Sequence, residues 1–296
     1  AVYPDAQTVF GGLQDNGTQR GAVSSPSWAM LRGGDGGHVA VDTLGDGNPG
    51  NDVLFLENTS LSIAKSVNGG ASFSPATSGI TGDNGFLFIA PFAMNPGARQ
   101  HLWTGGYSIW RTTNQAASWQ RATGQNATCG QGNVSAIAAH PADPNRVIVG
   151  MSDGCYHYNH SALTAPSSGS WPGGGAIANG YISWVAWDPT NVNIAYATVS
   201  NFGVTNLLKT TDGGASWVAR TGSGATSLPQ IPALTVAVSP VDPQQVFVGT
   251  DLGVFTSVDG GASWYVENTG FANTPVEALR VSDAAPHELF AFTHGR

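Results

Sequence analysis

One eight-residue string recurs along the 296-residue chain and narrows what the chain can fold into. It reads Ser257-Val258-Asp259-Gly260-Gly261-Ala262-Ser263-Trp264 and again, almost unchanged, Thr210-Thr211-Asp212-Gly213-Gly214-Ala215-Ser216-Trp217. Ser66-Val67-Asn68-Gly69-Gly70-Ala71-Ser72-Phe73 and Thr112-Thr113-Asn114-Gln115-Ala116-Ala117-Ser118-Trp119 are degraded copies with asparagine in place of aspartate. The chemistry is that of a tight turn between strands. The Asp or Asn side-chain oxygen accepts N–H groups of its own turn, and glycine supplies the positive φ the turn needs. The hydroxyl and the closing aromatic then tie the turn to the neighbouring sheet.

This pattern resembles the Asp-box (BNR) repeat, Ser/Thr-x-Asp-x-Gly-x-x-Trp, of β-propellers such as sialidases, sortilin-like receptors and xyloglucanases. The resemblance implies an all-β propeller with the box on the outer rim, away from the binding face. Asn68, Asn114, Asp212 and Asp259 are therefore expected to be structural.

The period agrees with that reading. The closing aromatics Phe73, Trp119, Trp217 and Trp264 are separated by 46, 98 and 47 residues. Trp171 falls inside the double gap, and Trp28 lies 45 residues before Phe73. Six aromatics thus mark six units of roughly fifty residues, the size of a propeller blade. Asn95-Pro96, His140-Pro141, Asp188-Pro189 and Ser239-Pro240 keep the same beat, each ending an apolar run at a turn.

Short β-branched or alternating runs give five complete four-stranded sets. They begin at His38–Asp42, Phe86–Met94, Val134–Ala139, Ile182–Trp187 and Ala233–Val238, and the third lacks the box and has its outer strand near Trp171. Val276–Val281 and Glu288–Phe292 remain at one end, Thr8–Gly12 and Trp28–Leu31 at the other. Joining the two pairs makes a sixth blade, closes the ring and removes an exposed sheet edge. The chain is then one propeller domain, residues 1–296. The alternative is seven blades in a trimmed chain, with Thr8–Gly12 as a second strand.

Composition restricts the partners. Charged residues are 10% of the chain, net charge is −8, and Lys65 and Lys209 are the only lysines, which argues against nucleic acid and anionic membrane surfaces. No apolar run approaches the ~18 residues of a membrane span. The Asp-box resemblance and turns rich in Gly, Asn, Ser and Thr point to an exported, extracellular or cell-surface protein; oligomeric state is not legible. Cys129 and Cys155 are then expected to form a disulfide within one blade, with two separate buried thiols as the alternative.

In propellers of this kind, the loops joining the fourth strand of one blade to the first of the next, together with the second-to-third-strand turns, line the ligand face. Here they offer Asp35, His38, Glu57, Asp83, Tyr107, Asp153, Tyr181 and Asp251, with Asn84, Asn201, Phe202 and His294 nearby. Carboxylates accept hydroxyl protons and aromatic rings stack on sugar faces, so a neutral glycan or a polar or cationic protein surface is the expected partner. Asp35 and Asp83 are the foremost contacts. Turn aspartates that merely cap their own loops are the plainer reading. Two carboxylates about 5–10 Å apart across an open funnel would make glycoside hydrolysis credible, whereas a funnel filled by Trp184 leaves binding alone.

Two strings break the repeat: Gly11-Gly12-Leu13-Gln14-Asp15-Asn16-Gly17-Thr18 and Arg32-Gly33-Gly34-Asp35-Gly36-Gly37-His38. Both resemble strings of exported BNR-type propellers, and neither has the context of a phosphate loop. The segment from Asp42 to Asp52 crowds oxygen-bearing side chains as a calcium loop does, with Asp42, Asp46 and Asp52 as candidate ligands. It lacks EF-hand spacing, and a long capped turn is the alternative. The histidines make no zinc pattern, and the arginines give no sialidase triad. The expectation is a non-catalytic binding module, with a glycoside hydrolase or a structural subunit of a surface assembly as alternatives.

Overall fold

The computed structural model describes residues 1–45, 48–124, 130–267, 269–270, 273–283 and 285–294. The chain folds as an all-β, six-blade propeller; helix is confined, among the described residues, to three 3-10 turns of three residues. An N-terminal sheet holds β1 (Thr8–Leu13), β2 (Gly17–Ala22) and β3 (Trp28–Arg32). The first full blade holds β4 (Gly36–Asp42), β5 (Val53–Asn58), β6 (Ser62–Ser66) and β7 (Ser74–Pro75). The second holds β8 (Phe92–Met94), β9 (Leu102–Gly105), β10 (Ile109–Thr112) and β11 (Gln120–Arg121). The third holds β12 (Val134–Ala139), β13 (Val147–Met151), β14 (Cys155–Asn159) and β15 (Gly173–Ala176). The fourth holds β16 (Ile182–Trp187), β17 (Ala195–Val199), β18 (Leu207–Thr210) and β19 (Val218–Ala219). The fifth holds β20 (Ala233–Val238), β21 (Val246–Thr250), β22 (Gly253–Ser257) and β23 (Tyr265–Glu267). A C-terminal ladder pairs β24 (Val276–Val281) with β25 (Leu289–Thr293).

The inner strands β4, β8, β12, β16, β20 and β24 pack one against the next around the axis, while β1 is flanked on its other side by Ala1–Tyr3, whose backbone pairs with Thr8 and Phe10. The chain ends come together there, because Ala1 lies within electrostatic reach of Arg280 on β24. One correction concerns these ends. Thr8–Gly12 and Trp28–Leu31 are strands as expected, but Gly17–Ala22 lies between them as a third strand and pairs with both. Its Gly, Thr, Gln and Arg residues carry no apolar alternation, so periodicity does not register it.

Each complete blade is apolar in its middle and thin at its outer edge. The second strands β5, β9, β13, β17 and β21 are buried almost throughout, with Phe55, Trp103, Val149, Tyr196 and Val248 at or near zero exposure. The outer strands β7, β11, β19 and β23 are only two or three residues long, which denies a neighbouring chain a long edge to pair with.

The repeated string makes the same turn four times between third and fourth strands. In each, the first hydroxyl (Ser66, Thr112, Thr210 or Ser257) donates to the Asn or Asp oxygen at 2.8 Å. That oxygen accepts the N–H of the following serine at 2.8–3.0 Å. The serine hydroxyls of Ser216 and Ser263 complete the turn on Asp212 and Asp259. These bonds hold the Asp259 carboxyl down at about 2, the Ser263 hydroxyl first among them. The aromatics do the tying between blades: the indole N–H of Trp119, Trp171 and Trp264 donates to the carbonyl of Ala76, Ala122 and Arg220 on the preceding blade at 2.7–2.9 Å.

The inner strands share a second device. A bulge interrupts the pairing near the start of β4, β12, β16, β20 and β24. A bulge re-aims the side chain it carries. Ser135 and Ser183 at this position donate to the carbonyls of Ile182 and Ala233 on the next blade, at 2.7 and 2.6 Å.

Cys155 is disulfide-bonded. Cys129, the only other cysteine in the chain, lies outside the described residues, as does Asp46.

Candidate functional site

All complete blades run inner to outer in chain order, so the turns joining second to third strands share one face with the loops that enter the inner strands. Backbone bonds clasp the two loop sets together on that face: Ser60 N–H to Phe88 O, Ser152 N–H to Asn133 O, Ser200 N–H to Tyr181 O and Asp251 N–H to Pro232 O, at 2.9–3.3 Å.

Several expected contact residues belong to these clasps. Asp83 accepts the N–H groups of Gly85 and Tyr107 on Oδ1, and those of Ser108 and the Trp110 indole on Oδ2, all at 2.9–3.1 Å. Asp153 accepts Gln131, Gly132 and Cys155 N–H groups at 2.9–3.1 Å. Asn201 does the same for Tyr181 at 2.7 Å, and Asp35 for Asp15 at 2.7 Å. Asp83 thus has four donors on two oxygens. Burial raises the Tyr181 phenol above its usual range. Asp251 is half-buried at the turn that follows β21.

His38 and Glu57 lie within β4 and β5 and not in loops. Glu57 is fully buried, accepting the N–H of His38 and of Ala90 at 3.2 and 3.3 Å. Burial pushes its carboxyl up to about 8, against the lowering pull of those two donors and of Arg32. At neutral pH this carboxyl is therefore mostly protonated. His38 is driven down to about 4, by burial first and then by Arg280 and the Ala1 amino group.

The axis itself is closed. Trp184 on β16 meets His38 on β4 with ring centroids 6.2 Å apart, and the Arg280 guanidinium on β24 lies 4.8 Å over the same indole. Neither β4 nor β24 neighbours β16 around the ring, so these contacts cross the axis. Trp184 fills the funnel, the condition under which the carboxylates lose an open cleft to work across.

Beside exposed polar residues such as Asn84, Asp153 and Asn201, the loop face exposes large apolar side chains. Phe88, Tyr107, Phe202 and Leu252 are 56%, 40%, 70% and 56% exposed, and they stand on three blades around the closed axis. Of these, only Tyr107 and Phe202 stand among the candidates read from sequence. Phe88 sits in Phe86–Met94, which reads as one inner strand in the sequence although only Phe92–Met94 pairs.

The candidate calcium ligands face different partners. Asp42 meets Arg99 at 3.5 Å and accepts the Gln115 amide at 2.8 Å, while Asp52 accepts the Tyr3 hydroxyl at 2.6 Å. No group of three metal-ligating side chains occurs among the described residues. No described helix is long and apolar enough to cross a membrane.

No family model matches the chain, and no curated protein matches it. Among solved structures it is similar to the GH74 enzyme of Niastella koreensis, with a TM-score of 0.62 and 16% identity over 90% of this chain and 44% of that one. It is similar to an ancestral GH74 enzyme, with a TM-score of 0.63 and 19% identity over 92% of this chain and 37% of the other. A chain of the mitotic checkpoint complex gives a TM-score of 0.63 and 14% identity over 97% and 84% of the two chains. The chain therefore spans less than half of either GH74 enzyme, and the likeness is one of propeller fold.

Proposed function

We propose that this propeller is a binding module that takes a neutral glycan on its loop face. The observation that carries the reading is the set of exposed Phe88, Tyr107, Phe202 and Leu252 on the loop face, beside an axis occupied by Trp184. Aromatic rings stack on the apolar faces of sugars, and clasped loops hold them ready, which lowers the ordering cost of binding. Carboxylates already committed to backbone donors, such as Asp83, serve to position those rings. An extracellular setting suits a disulfide at Cys155 and is part of the same proposal. So is the Asp-box kinship, supported by four turns wired alike.

The experiment is a glycan array run with a parallel hydrolysis assay on the same oligosaccharides. Binding without turnover is the expected result, and binding lost in Tyr107→Ala and Phe202→Ala assigns it to this face. A second reading rests on the chain's span: it covers 44% and 37% of two GH74 enzymes, so it would be one part of a larger glycoside hydrolase. Turnover by this chain, or only when further sequence is supplied, selects that reading.

A further inference from the structure

Arg280 is out of keeping with its position. It is the penultimate residue of a six-residue inner strand, where β12, β16 and β20 carry Ala138, Ala186 and Ala237. A guanidinium has five N–H donors, and Arg280 spends Nη1 on the adjacent Leu279 carbonyl at 2.7 Å. Its other contact is the Trp184 indole face, 4.8 Å away. The ion pairs of the described residues are Arg99–Asp42, Arg146–Asp143 and His294–Glu277, and none reaches it. Glu57, the acid nearest His38, holds its proton and gives both oxygens to backbone N–H groups.

A cation drawn from water with no counter-charge is expensive, and the side chain registers that cost: burial lowers its pKa to about 10. His38 stands on the same indole, 6.2 Å from it, and its ring nitrogens have no hydrogen-bond partner among the described residues. Trp184 closes the axis to a ligand as large as a sugar, but both residues are half-buried and each keeps a solvent-facing part. We propose that a small oxyanion, a carboxylate or a tetrahedral sulfate or phosphate group, occupies the axis between Arg280 and His38 over Trp184. The free edge of the guanidinium offers the paired donors such an anion takes, and one imidazole N–H adds a third. This site goes beyond the glycan reading: it uses inner-strand residues and none of the exposed aromatics.

The test is isothermal titration of the full chain with acetate, sulfate and phosphate in turn, against chloride at constant ionic strength. Saturable one-to-one binding by at least one of them is expected, weakened at least about tenfold in Arg280→Met through loss of a charge-assisted pair. Selectivity for acetate assigns a carboxylate ligand, and selectivity for sulfate or phosphate a tetrahedral one. If Arg280→Met does not fold, Arg280→Lys keeps the charge, loses the fork and is expected to bind several-fold more weakly. Absence of saturable binding in the wild-type protein, or affinity unchanged in the folded Arg280 variant, overturns the proposal. Tyr107→Ala/Phe202→Ala is expected to bind the anion as wild type does, so glycan loss and anion loss are separable.

Discussion

The Asp35 carboxylate accepts the backbone N–H of Asp15 at 2.7 Å and so fastens together the two glycine-rich strings that interrupt the repeat. The first string is the β1–β2 hairpin, with Gly12 opposite Thr18 and Leu13 opposite Gly17. The second leads into the inner strand β4. Between them the backbones touch: a methyl at Gly12 would meet the Gly37 carbonyl, and one at Gly36 would meet the Gly17 carbonyl, both inside contact distance. The glycines are there because two main chains pass where no side chain fits. Their role is to dock the N-terminal sheet on the first blade.

Gly36→Ala is accordingly expected to cost about 1–3 kcal/mol by overpacking. Gly11→Ala, one residue from Gly12 but with its nearest contact an ordinary 3.7 Å to Trp28, is expected to be near neutral. Thermal unfolding of the two variants checks the pair. Equal melting temperatures would mean that the strings do not interlock.

Asp83→Ala leaves three backbone N–H groups and one indole N–H without their acceptor. The expected loss is about 2–4 kcal/mol, visible in the denaturant midpoint. Asp83→Asn keeps one accepting oxygen and is expected to fall between the two.

Asp259→Ala removes the acceptor of the Ser263 hydroxyl and of the Ala262 and Ser263 N–H groups. A melting temperature lowered by about 2–4 °C is expected, from a loss near 1 kcal/mol. Glycan affinity is expected to be unchanged, because the turn lies on the face opposite Tyr107. An affinity change at constant stability would place the turn on the wrong face.

Glu57 gives the protein a pH signature. Its folded pKa of about 8 exceeds the ordinary 4.5, so the folded state holds a proton the unfolded chain releases. The stabilisation is complete below pH 4.5 and declines through the interval up to about 8. His38, lowered from 6.5 to about 4, works oppositely and costs stability as pH falls through that interval. Glu57→Gln is expected to flatten the decline between pH 6.5 and 8, where His38 contributes little. A wild-type slope retained in Glu57→Gln would show that the carboxyl is ionised.

The blades were legible because each repeats one turn and one apolar run. Val134–Ala139, Ile182–Trp187 and Ala233–Val238 have the bounds that their β-branched and aromatic runs suggest. The outer strands pair over only two or three residues, since Ser72 and Ser118 belong to the turn chemistry and not to the ladder. The site was less legible. An aspartate in a glycine-rich loop has the same local sequence whether it caps its own loop, as Asp83 does, or meets a ligand. Arg280 lies on an inner strand and not in a loop, and what sets it apart is the alanine that Ala138, Ala186 and Ala237 place in the same register. His38 and Trp184 are 146 positions apart in sequence and meet only because the ring closes around the axis.

The loop face is expected to bind a glycan through its exposed aromatics without cleaving it. The direct measurement is titration of a glycan selected on the array against the wild-type protein and Tyr107→Ala/Phe202→Ala, with the sugar recovered and analysed afterwards. Intact sugar is expected, with an affinity at least about tenfold lower in the variant through the loss of two stacking contacts. Equal affinity in a folded variant, or cleaved sugar from the wild-type protein, would contradict it.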